Sequence, residues 1–493
     1  MASSSSSSST SASPVEEPED SFGALPEPIL LLILSFLPTL HAVRTSILST
    51  RWRTLWTSIG VLDLDEGADF IFFGTETRPT GAKRKRKRKG SFAEFVGKVL
   101  SFHHTPTLRK LRLHCCSQNC PLQDWVRTAV SRGVQTLDLR LPSHPNRNSS
   151  GQLPSLLFTS QSLVDLRLDL GGSALILPGT VALVALRRMR LCFVKFCDDH
   201  LTRALFSNST ALKRLVLLNC DYQMLGRLEI SCSSLQELAI ESLLKADGLG
   251  SCEVKIAAPH LTSFVYRASV AQAYVVERFL SVEYVKIQFQ RFEAWEVLGQ
   301  HSILKRASSF FCSLSSARNL DICPVCVKAL RFRRTNDWLY PIPFRNLNVL
   351  RTAVKDLDYS AIRVVLWLFV LNPHLRALIV EVGDLSVLPS SAGKEDFFKF
   401  LGACFKHRCG VVEKVEIRCG GSNFRSREAV RYTTETVLEL VKVLLGSQPR
   451  LKKLILSNKL FCDSYSSNIR DVVMEKVLSF PKRTRELAVA FIY

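Results

Sequence analysis

Long hydrophobic runs are missing from this sequence. A membrane-spanning helix needs about 20 consecutive apolar residues, and the best runs, Ile29–Leu34 and Val364–Leu371, are much shorter. The N-terminus is rich in serine and then acidic, so it lacks the basic start and apolar centre of a secretory signal. These two absences predict a chain that crosses no membrane and stays inside the cell.

Cysteine is not scarce, but its arrangement does not fit a disulfide framework. The fifteen cysteines are an odd number, scattered through a long chain without a secretory signal. We therefore expect reduced, buried thiols. Two groups are close enough in sequence to suggest a metal site, although a packed turn is favoured for both: Cys323 with Cys326, and His114 with Cys115, Cys116 and Cys120.

Signatures of the common enzyme classes are absent as well. The sequence contains no G-x-S-x-G nucleophile elbow, H-E-x-x-H zinc site, G-x-x-x-x-G-K-[ST] phosphate loop or G-x-G-x-x-G dinucleotide loop. We therefore expect a non-catalytic protein with no catalytic residues, no metal and no cofactor.

Acidic residues are too few to balance the basic ones. Lysine and arginine number 65 against 44 aspartates and glutamates, a formal net charge of +21. Seven of these charges form one uninterrupted run, which must be solvated because adjacent like charges repel: Lys83, Arg84, Lys85, Arg86, Lys87, Arg88 and Lys89. A plain linker, a nuclear-import signal and a nucleic-acid contact all stay open, with nuclear import favoured. Nucleic acid is disfavoured because Asp138, Asp165 and Asp169 lie among the arginines of the predicted strands and repel phosphates.

From residue 91 onward, apolar residues recur at positions 1, 4 and 6 of a six-residue window. Eight units begin 21–29 residues apart, the spacing of leucine-rich repeats, at Leu108, Val134, Leu163, Leu186, Leu212, Leu235, Leu261 and Val282. Weaker units with wider spacing, which predicts insertions or extra helices, begin at Ala317, Leu347, Leu375, Val412 and Leu451. Positions 4 and 6 of the window are two residues apart, so in a strand their side chains face the same side. One unit cannot bury that side alone, so the units predict a stacked, curved α/β solenoid.

Residues 25–59 predict a small helical unit of a different kind. Pro28 suits the first turn of a helix, Pro38 ends it, and a second helix is expected over residues 40–48. A unit of about 35 residues cannot enclose many large apolar side chains. Some of them are therefore expected to meet a partner.

The motifs of this unit closely resemble the F-box. They are the opening Leu25-Pro26, the apolar helix that ends in Leu37-Pro38, and the closing segment Leu48–Trp56 with its Arg-Trp-Arg-x-Leu-Trp pattern. Val61–Asp65 resembles the strand that follows the F-box in plant F-box proteins with leucine-rich repeats. Residues 412–456 are similar to a degenerate form of that family's FBD module.

The resemblance implies a substrate-recognition subunit of an SCF-type cullin–RING ubiquitin ligase. In that family the F-box docks on the Skp adaptor, and through it on cullin, while the repeats bind a target protein. Residues carried over by position as facing the adaptor, or supporting that face, are Leu25, Pro26, Ile29, Ile33, Leu37, Pro38, Leu48, Trp52 and Trp56. A self-contained helical core, and internal packing of the two tryptophans, stay open. The alternative function is a basic nuclear scaffold or nucleic-acid-associated protein; the basic run favours the nucleus over the cytoplasm.

The predicted organisation follows from these segments. Residues 1–20 form a disordered serine-rich and acidic tail, 21–60 the F-box, and 61–90 a linker with the basic run. Residues 91–400 form the solenoid and 401–493 degenerate repeats or an FBD-like region.

The centres of the predicted strands line the concave face, the usual binding surface of such arrays. The first four units are charged and mostly basic there, and the next three are apolar. We predict that a basic patch binds acidic or phosphorylated groups beside a hydrophobic patch. A cover formed by the C-terminal region is the open alternative. The predicted contacts are Arg112, Arg140, Arg167, Arg190, Val216, Leu218 and Val265.

Overall fold

The computed structural model divides the chain into two compact units, residues 1–121 and 122–493. The described residues are 25–68, 92–116, 120–142, 152–244, 247–277, 279–280, 282–290, 300–331, 344, 346–354, 372, 374–382, 412–419, 434–435, 437–438, 440–442, 444–446, 448, 450–458, 467–482 and 487–492. The predicted tail, residues 1–20, and the basic run, residues 83–89, lie outside them.

The first unit begins with the predicted helical block. Its helices are Glu27–Ser35, Thr39–Arg44 and Trp52–Leu55, with 3₁₀ turns at Thr45–Ile47 and Trp56–Ser58. Prolines set the starts of the first two helices: Pro26 and Pro38 occupy their N-cap positions, where a missing N–H costs nothing. Pro28 lies in the first turn, as predicted from the sequence.

A two-strand ladder completes the first unit. Strand β1 (Val61–Asp65) pairs in parallel with β2 (Lys110–His114), and the helix Phe92–Phe102 lies between them in sequence. Leu62 lies opposite Leu111, and both side chains are fully buried. The strand expected after the helical block is therefore present.

The second unit is built on one long parallel sheet, here called the main sheet. Its strands follow the order β3-β4-β5-β6-β8-β10-β12-β13-β14-β15-β16-β17-β18. The strands are β3 (Thr136–Arg140), β4 (Asp165–Asp169), β5 (Arg188–Cys192), β6 (Arg214–Leu218), β8 (Glu237–Glu241), β10 (Ser263–Arg267), β12 (Tyr284–Ile287), β13 (Asn319–Ile322), β14 (Val349–Val354), β15 (Ala377–Val382), β16 (Lys414–Cys419), β17 (Lys453–Asn458) and β18 (Ala488–Ile492).

Each predicted repeat unit of this region falls on one of these strands, so the predicted solenoid is confirmed. The side chains at positions 4 and 6 face the core, as in Leu137 and Leu139 of β3, which are fully buried. The weaker units also form strands. Helices Gln300–Phe311, Pro324–Arg331 and Ser467–Ser479 lie in the wider gaps between them. Strands β16 to β18 continue the sheet into the last 90 or so residues, and the sequence pattern had missed β18.

A second, three-stranded parallel sheet was also missed by the sequence pattern. It has the order β11-β9-β7, with β7 at Arg227–Ser231, β9 at Glu253–Ala257 and β11 at Ala273–Val276. In sequence, these strands lie between consecutive strands of the main sheet. Several other repeats have a helix at that position. Leu228 and Ile230, both fully buried, alternate with polar residues in β7. This period of two predicts a strand and was the available sequence signal.

The fifth repeat ends at Asn219 and Cys220, directly after β6. Asn219 adopts a positive φ of 51°, a conformation that asparagine tolerates better than most residues. Its side-chain oxygen accepts a hydrogen bond from the backbone N–H of Leu243 at 2.7 Å, and Cys220 is fully buried. The asparagine therefore links the end of β6 to the chain that follows β8.

Candidate functional site

The first helix, Glu27–Ser35, has apolar side chains on two opposite sides. Leu30 and Leu34 are fully buried and form its inner side. On the outer side, Ile29 is 45% exposed, Ile33 37%, and Phe36, just after the helix, 78%. A contiguous apolar surface of this kind on a small unit marks a site of protein interaction.

Most of the predicted adaptor-facing residues lie on the surface of the first unit. Pro26, Ile29, Ile33, Leu37, Pro38 and Leu48 are exposed and Leu25 is partly exposed, whereas Trp52 and Trp56 are buried. The tryptophans therefore support the unit from inside. Three exposed apolar side chains were not in the predicted set: Leu32, Phe36 and Ile47. They are as exposed as the predicted surface residues, but they are not part of the motif from which that set was drawn.

Hydrogen bonds hold the motif segments in register. A guanidinium nitrogen of Arg51 donates to the backbone oxygen of Leu25 at 2.6 Å, which ties the closing segment to the opening Leu-Pro. The fully buried hydroxyl of Thr39 accepts a hydrogen bond from the backbone N–H of Asp63 at 2.7 Å. The second helix is thereby attached directly to β1.

The predicted basic residues are mostly paired with carboxylates of their own unit. In the first unit, Arg112 lies 3.1 Å from Asp63 and 3.3 Å from Asp65. In the second unit, the buried carboxylate of Asp165 lies 3.3 Å from the Arg167 guanidinium and 2.9 Å from that of Arg188. These arginines have little unpaired charge to offer a ligand.

The remaining two predicted arginines differ from one another. Arg140 lies 4.0 Å from Asp169, at the limit of an ion pair. Arg190, an exposed residue at the centre of β5, forms no ion pair within the described part of the chain. Its Nε donates instead to the sulfur of Cys192 at 3.3 Å, and a thiol is a weak acceptor.

An apolar strip begins on the strand next to Arg190. The register places Arg190 opposite Val216, Val216 opposite Ala239, and Ala239 opposite Val265. All three apolar side chains are half-buried. Since neighbouring strands lie about 4.8 Å apart, the strip extends roughly 15 Å from Arg190 across the main sheet.

The two ends of the apolar strip carry further groups. Leu218, half-buried at the end of β6, lies opposite Cys192 on one side and Glu241 on the other. Beyond Val265, Lys286 pairs with Asp321 at 3.1 Å. Leu243 lies two residues after β8 and is 68% exposed. The sequence pattern does not predict it, because it follows the repeat window.

The cysteine group near residue 115 has geometry reminiscent of a catalytic triad, but its chemistry is unsuitable. His114 Nδ1 lies 2.9 Å from Asp65, and the Cys116 sulfur lies 4.0 Å from Nε2 of the same ring. Burial and the nearby carboxylates of Glu66 and Asp65 raise the pKa of Cys116. A thiol nucleophile requires a lowered pKa, so this group does not form an activated nucleophile.

The described residues contain neither a metal-binding cluster nor a membrane-spanning helix. No group of three or more histidine, cysteine, aspartate or glutamate side chains in them is arranged to hold a metal ion. None of the helices that the structure describes is both long and apolar enough to span a bilayer.

Comparison with known proteins places the chain in a family. A model described as the At1g61320/AtMIF1 LRR domain matches residues 99–396, and the F-box domain matches residues 22–63. Three similar proteins come from Arabidopsis thaliana. The F-box/FBD/LRR-repeat protein At2g04230 is 33% identical over 55% of this chain and 58% of its own length. The F-box/FBD/LRR-repeat protein At2g26030 is 27% identical over 95% of this chain and 98% of its own length.

The third relative, F-box/LRR-repeat protein 13, is 34% identical over 40% of this chain and 41% of its own length. The chain thus aligns with only about half of At2g04230 and F-box/LRR-repeat protein 13, but with nearly all of At2g26030. The resemblance drawn from the motifs is confirmed: the chain belongs to the plant F-box proteins that carry a leucine-rich-repeat domain of the At1g61320/AtMIF1 type.

Proposed function

We propose that this chain is the substrate-recognition subunit of an SCF-type cullin–RING ubiquitin ligase. The observation that supports this role most directly is the exposed apolar side of the helix Glu27–Ser35, within the segment that matches the F-box. Members of this family are typically non-catalytic adaptors. The F-box implies binding to a Skp-family adaptor, and the adaptor would connect the chain to cullin.

The chain's contribution to ubiquitin transfer would be proximity. A receptor that binds both the adaptor and a target protein makes their encounter intramolecular, which raises the effective concentration of the target at the ubiquitin-charged subunit. Bond formation would take place on other subunits. The chain needs no activated nucleophile for this role.

The target protein would bind on the exposed face of the main sheet, around Arg190. A carboxylate or phosphate of the target would replace the thiol of Cys192 as the acceptor for Arg190, and a charged acceptor gives a much stronger hydrogen bond. An aliphatic side chain of the target would pack on Val216 and Val265. The target motif would therefore place an acidic or phosphorylated residue beside an aliphatic one.

The basic run Lys83–Lys89 supports a nuclear location, because clustered lysine and arginine are typical of import signals. The alternative of a nucleic-acid-associated scaffold is less favoured. Binding to phosphates depends on unpaired cations, and Arg112, Arg167 and Arg188 are already paired with carboxylates.

Co-expression with a Skp-family adaptor tests the central proposal. The wild-type chain is expected to form a stoichiometric complex in size-exclusion chromatography, and the triple variant Leu25→Ala, Pro26→Ala, Leu37→Ala is expected to lose it while remaining folded. Met224→Ala, which truncates an exposed apolar side chain of the second unit, is the matched control and should bind normally. A folded wild-type chain that does not bind would refute the receptor role.

A further inference from the structure

Cys323 and Cys326 lie at the start of the helix Pro324–Arg331, directly after β13. Residues three apart on a helix lie on the same side, and here the two Sγ atoms are 3.3 Å apart. A disulfide requires about 2.05 Å between the sulfurs. A shift of roughly 1.3 Å, within the range of small side-chain rotations, would bring the two sulfurs to that distance.

The two thiols have different surroundings. Cys326 is fully buried, with its sulfur 3.4 Å from the backbone oxygen of Ile287. Cys323 is partly exposed, with its sulfur 3.9 Å from the backbone oxygen of Phe289. A small oxidant from solvent would therefore reach Cys323 first.

The same arrangement favours the thiolate of Cys323. Hydrogen bonding from the Cys326 thiol, reinforced by backbone N–H groups at the helix start, lowers the pKa of Cys323 to about 7 against the opposing effect of burial. Burial raises the pKa of Cys326. Elsewhere, burial raises the pKa of Cys220 to about 12 and that of Cys252 to about 11. Thiolate is the reactive form, so the pair combines a reactive sulfur with a protonated neighbour.

We propose that Cys323 and Cys326 are a reversible redox pair, which a peroxide converts to an intramolecular disulfide. The Cys323 thiolate attacks one peroxide oxygen, the O–O bond breaks, and a sulfenic acid forms with release of hydroxide. The hydroxide takes up the proton that Cys323 lost on ionisation and becomes water. The Cys326 sulfur then attacks the sulfenic sulfur, and its proton leaves with the hydroxyl group as a second water. Two electrons pass from the two thiols to the peroxide.

The disulfide would be compatible with the surrounding fold. The backbone N–H of Cys323 donates to the oxygen of Ile287 at 3.1 Å, and this hydrogen bond does not involve either sulfur. Oxidation would therefore leave β12 and β13 paired while it fixes the first turn of the helix. The inference does not depend on the proposed receptor function, because the thiols lie outside the F-box segment.

Peptide mapping tests the proposal on the full, unmodified chain. The protein is reduced, freed of reductant, treated with hydrogen peroxide, denatured and labelled with N-ethylmaleimide. Trypsin releases residues 319–328, whose only cysteines are Cys323 and Cys326. We expect this peptide to be unlabelled and lighter by two hydrogen atoms, and to regain two labels after dithiothreitol. Residues 196–203 are the control: their one cysteine, Cys197, is exposed, and this peptide should show no such loss of mass.

Two variants test the assigned roles. With Cys326→Ser, peroxide should leave a sulfenic acid at Cys323 that dimedone traps. With Cys323→Ser, Cys326 should stay reduced until the protein is unfolded. The proposal is overturned if residues 319–328 retain two labels at a peroxide level that already oxidises Cys197. It is equally overturned if non-reducing gels show that the disulfide forms only between chains.

Discussion

Two helices of this protein illustrate how differently its surfaces are completed. The helix Leu122–Ser131 buries Trp125 and Val126, and its outer side carries Asp124 and Arg127, which pair at 3.1 Å. The helix Glu27–Ser35 also buries one side but has isoleucine, leucine and phenylalanine on or beside the other. The helix Leu122–Ser131 therefore has an apolar inner side and a polar outer side. The helix Glu27–Ser35 instead has an apolar side that stays exposed.

The same contrast separates the arginines of the main sheet. Arg167 and Arg188 share the buried carboxylate of Asp165. Arg190, on the same face, donates to the thiol of Cys192, and among the described residues no carboxylate lies within ion-pair distance of it. An ion pair inside the unit stabilises the fold, and an exposed guanidinium without a carboxylate is available to a ligand. Groups left incomplete by the fold are thus the best candidates for function.

The largest effects are expected from charges placed on the two sides of the first helix. Leu34→Asp puts an unpaired carboxylate into the core. It should destabilise the first unit by about 3 to 5 kcal/mol, the cost of an uncompensated buried charge. Ile33→Asp puts the same charge on the exposed side and should change stability by about 0.5 kcal/mol or less. It should nevertheless weaken adaptor binding at least tenfold, or about 1.4 kcal/mol.

Thermal unfolding and binding titration of these two variants provide the measurement. The contrast between the sides of the helix would fail if Ile33→Asp unfolded the protein, or if it bound the adaptor as tightly as the wild type.

Charge reversal separates the unpaired arginine from a paired one. Arg190→Glu should leave the melting temperature nearly unchanged and reduce binding to the target motif at least tenfold. Arg167→Glu should instead destabilise the fold by about 1 kcal/mol, since it places a carboxylate beside Asp165 and only a partly exposed pair is lost. Arrays of peptides with aspartate, glutamate or phosphoserine next to leucine would measure binding. Equal binding by Arg190→Glu and wild type would exclude Arg190 as the contact.

A smaller, pH-dependent effect is expected at Glu229 in β7. Burial would raise the pKa of this carboxyl, but Lys255, at 3.0 Å, and Arg203 outweigh that effect and lower it below the usual 4.5. A carboxyl with a lowered pKa stabilises the fold above its unfolded-state pKa, and this contribution is lost as pH falls through the lower, folded-state value.

Glu229→Gln should therefore cost about 1 kcal/mol of unfolding free energy at pH 7, since its cationic partners are partly exposed. The difference from wild type should narrow as the pH falls below about 4.5. Denaturant titrations of both proteins between pH 7 and pH 3 measure it. A difference that is constant over this range would show that the charge of Glu229 does not contribute.

The smallest effect on the folded protein is expected from the basic run. Replacement of Lys83–Lys89 by glutamine should change neither stability nor adaptor binding, because a solvated run makes no core contacts. Fluorescence microscopy of tagged chains should show a lower nuclear fraction for the variant. An unchanged distribution would remove the support for nuclear import.

The sequence predicted the repeats well because each strand carries its own signal. Leu137 and Leu139 alternate with polar residues, and that local pattern is sufficient to place β3. Around β7, Leu225, Leu228 and Ile230 fit the same six-residue pattern. They begin only 13 residues after Leu212, so the spacing of 21–29 residues does not select them. Strands β9 and β11 also lie between units of the main sheet. The F-box was recognisable because its motif is contiguous.

The pairing of charges was not predictable in this way. Asp165 and Arg188 are 23 residues apart, and only the parallel register of β4 and β5 brings them together. The sequence therefore identified the arginines of the face but not which of them would be neutralised. Burial of Trp52 and Trp56 was similarly left open, because a motif records residue type and not exposure.

The hydrogen bond between the Thr39 hydroxyl and the backbone of Asp63 has a mechanical consequence. It joins the second helix to β1 across a fully buried contact, and β1 pairs with β2 along its full length. The second helix is therefore held to the strands by a hydrogen bond as well as by the chain. In the proposed receptor role, this link would keep the adaptor-facing helices fixed on the strands of their own unit. Thr39→Val, which removes the oxygen that accepts from the N–H of Asp63, would remove this link and leave both strands of the ladder unchanged in sequence.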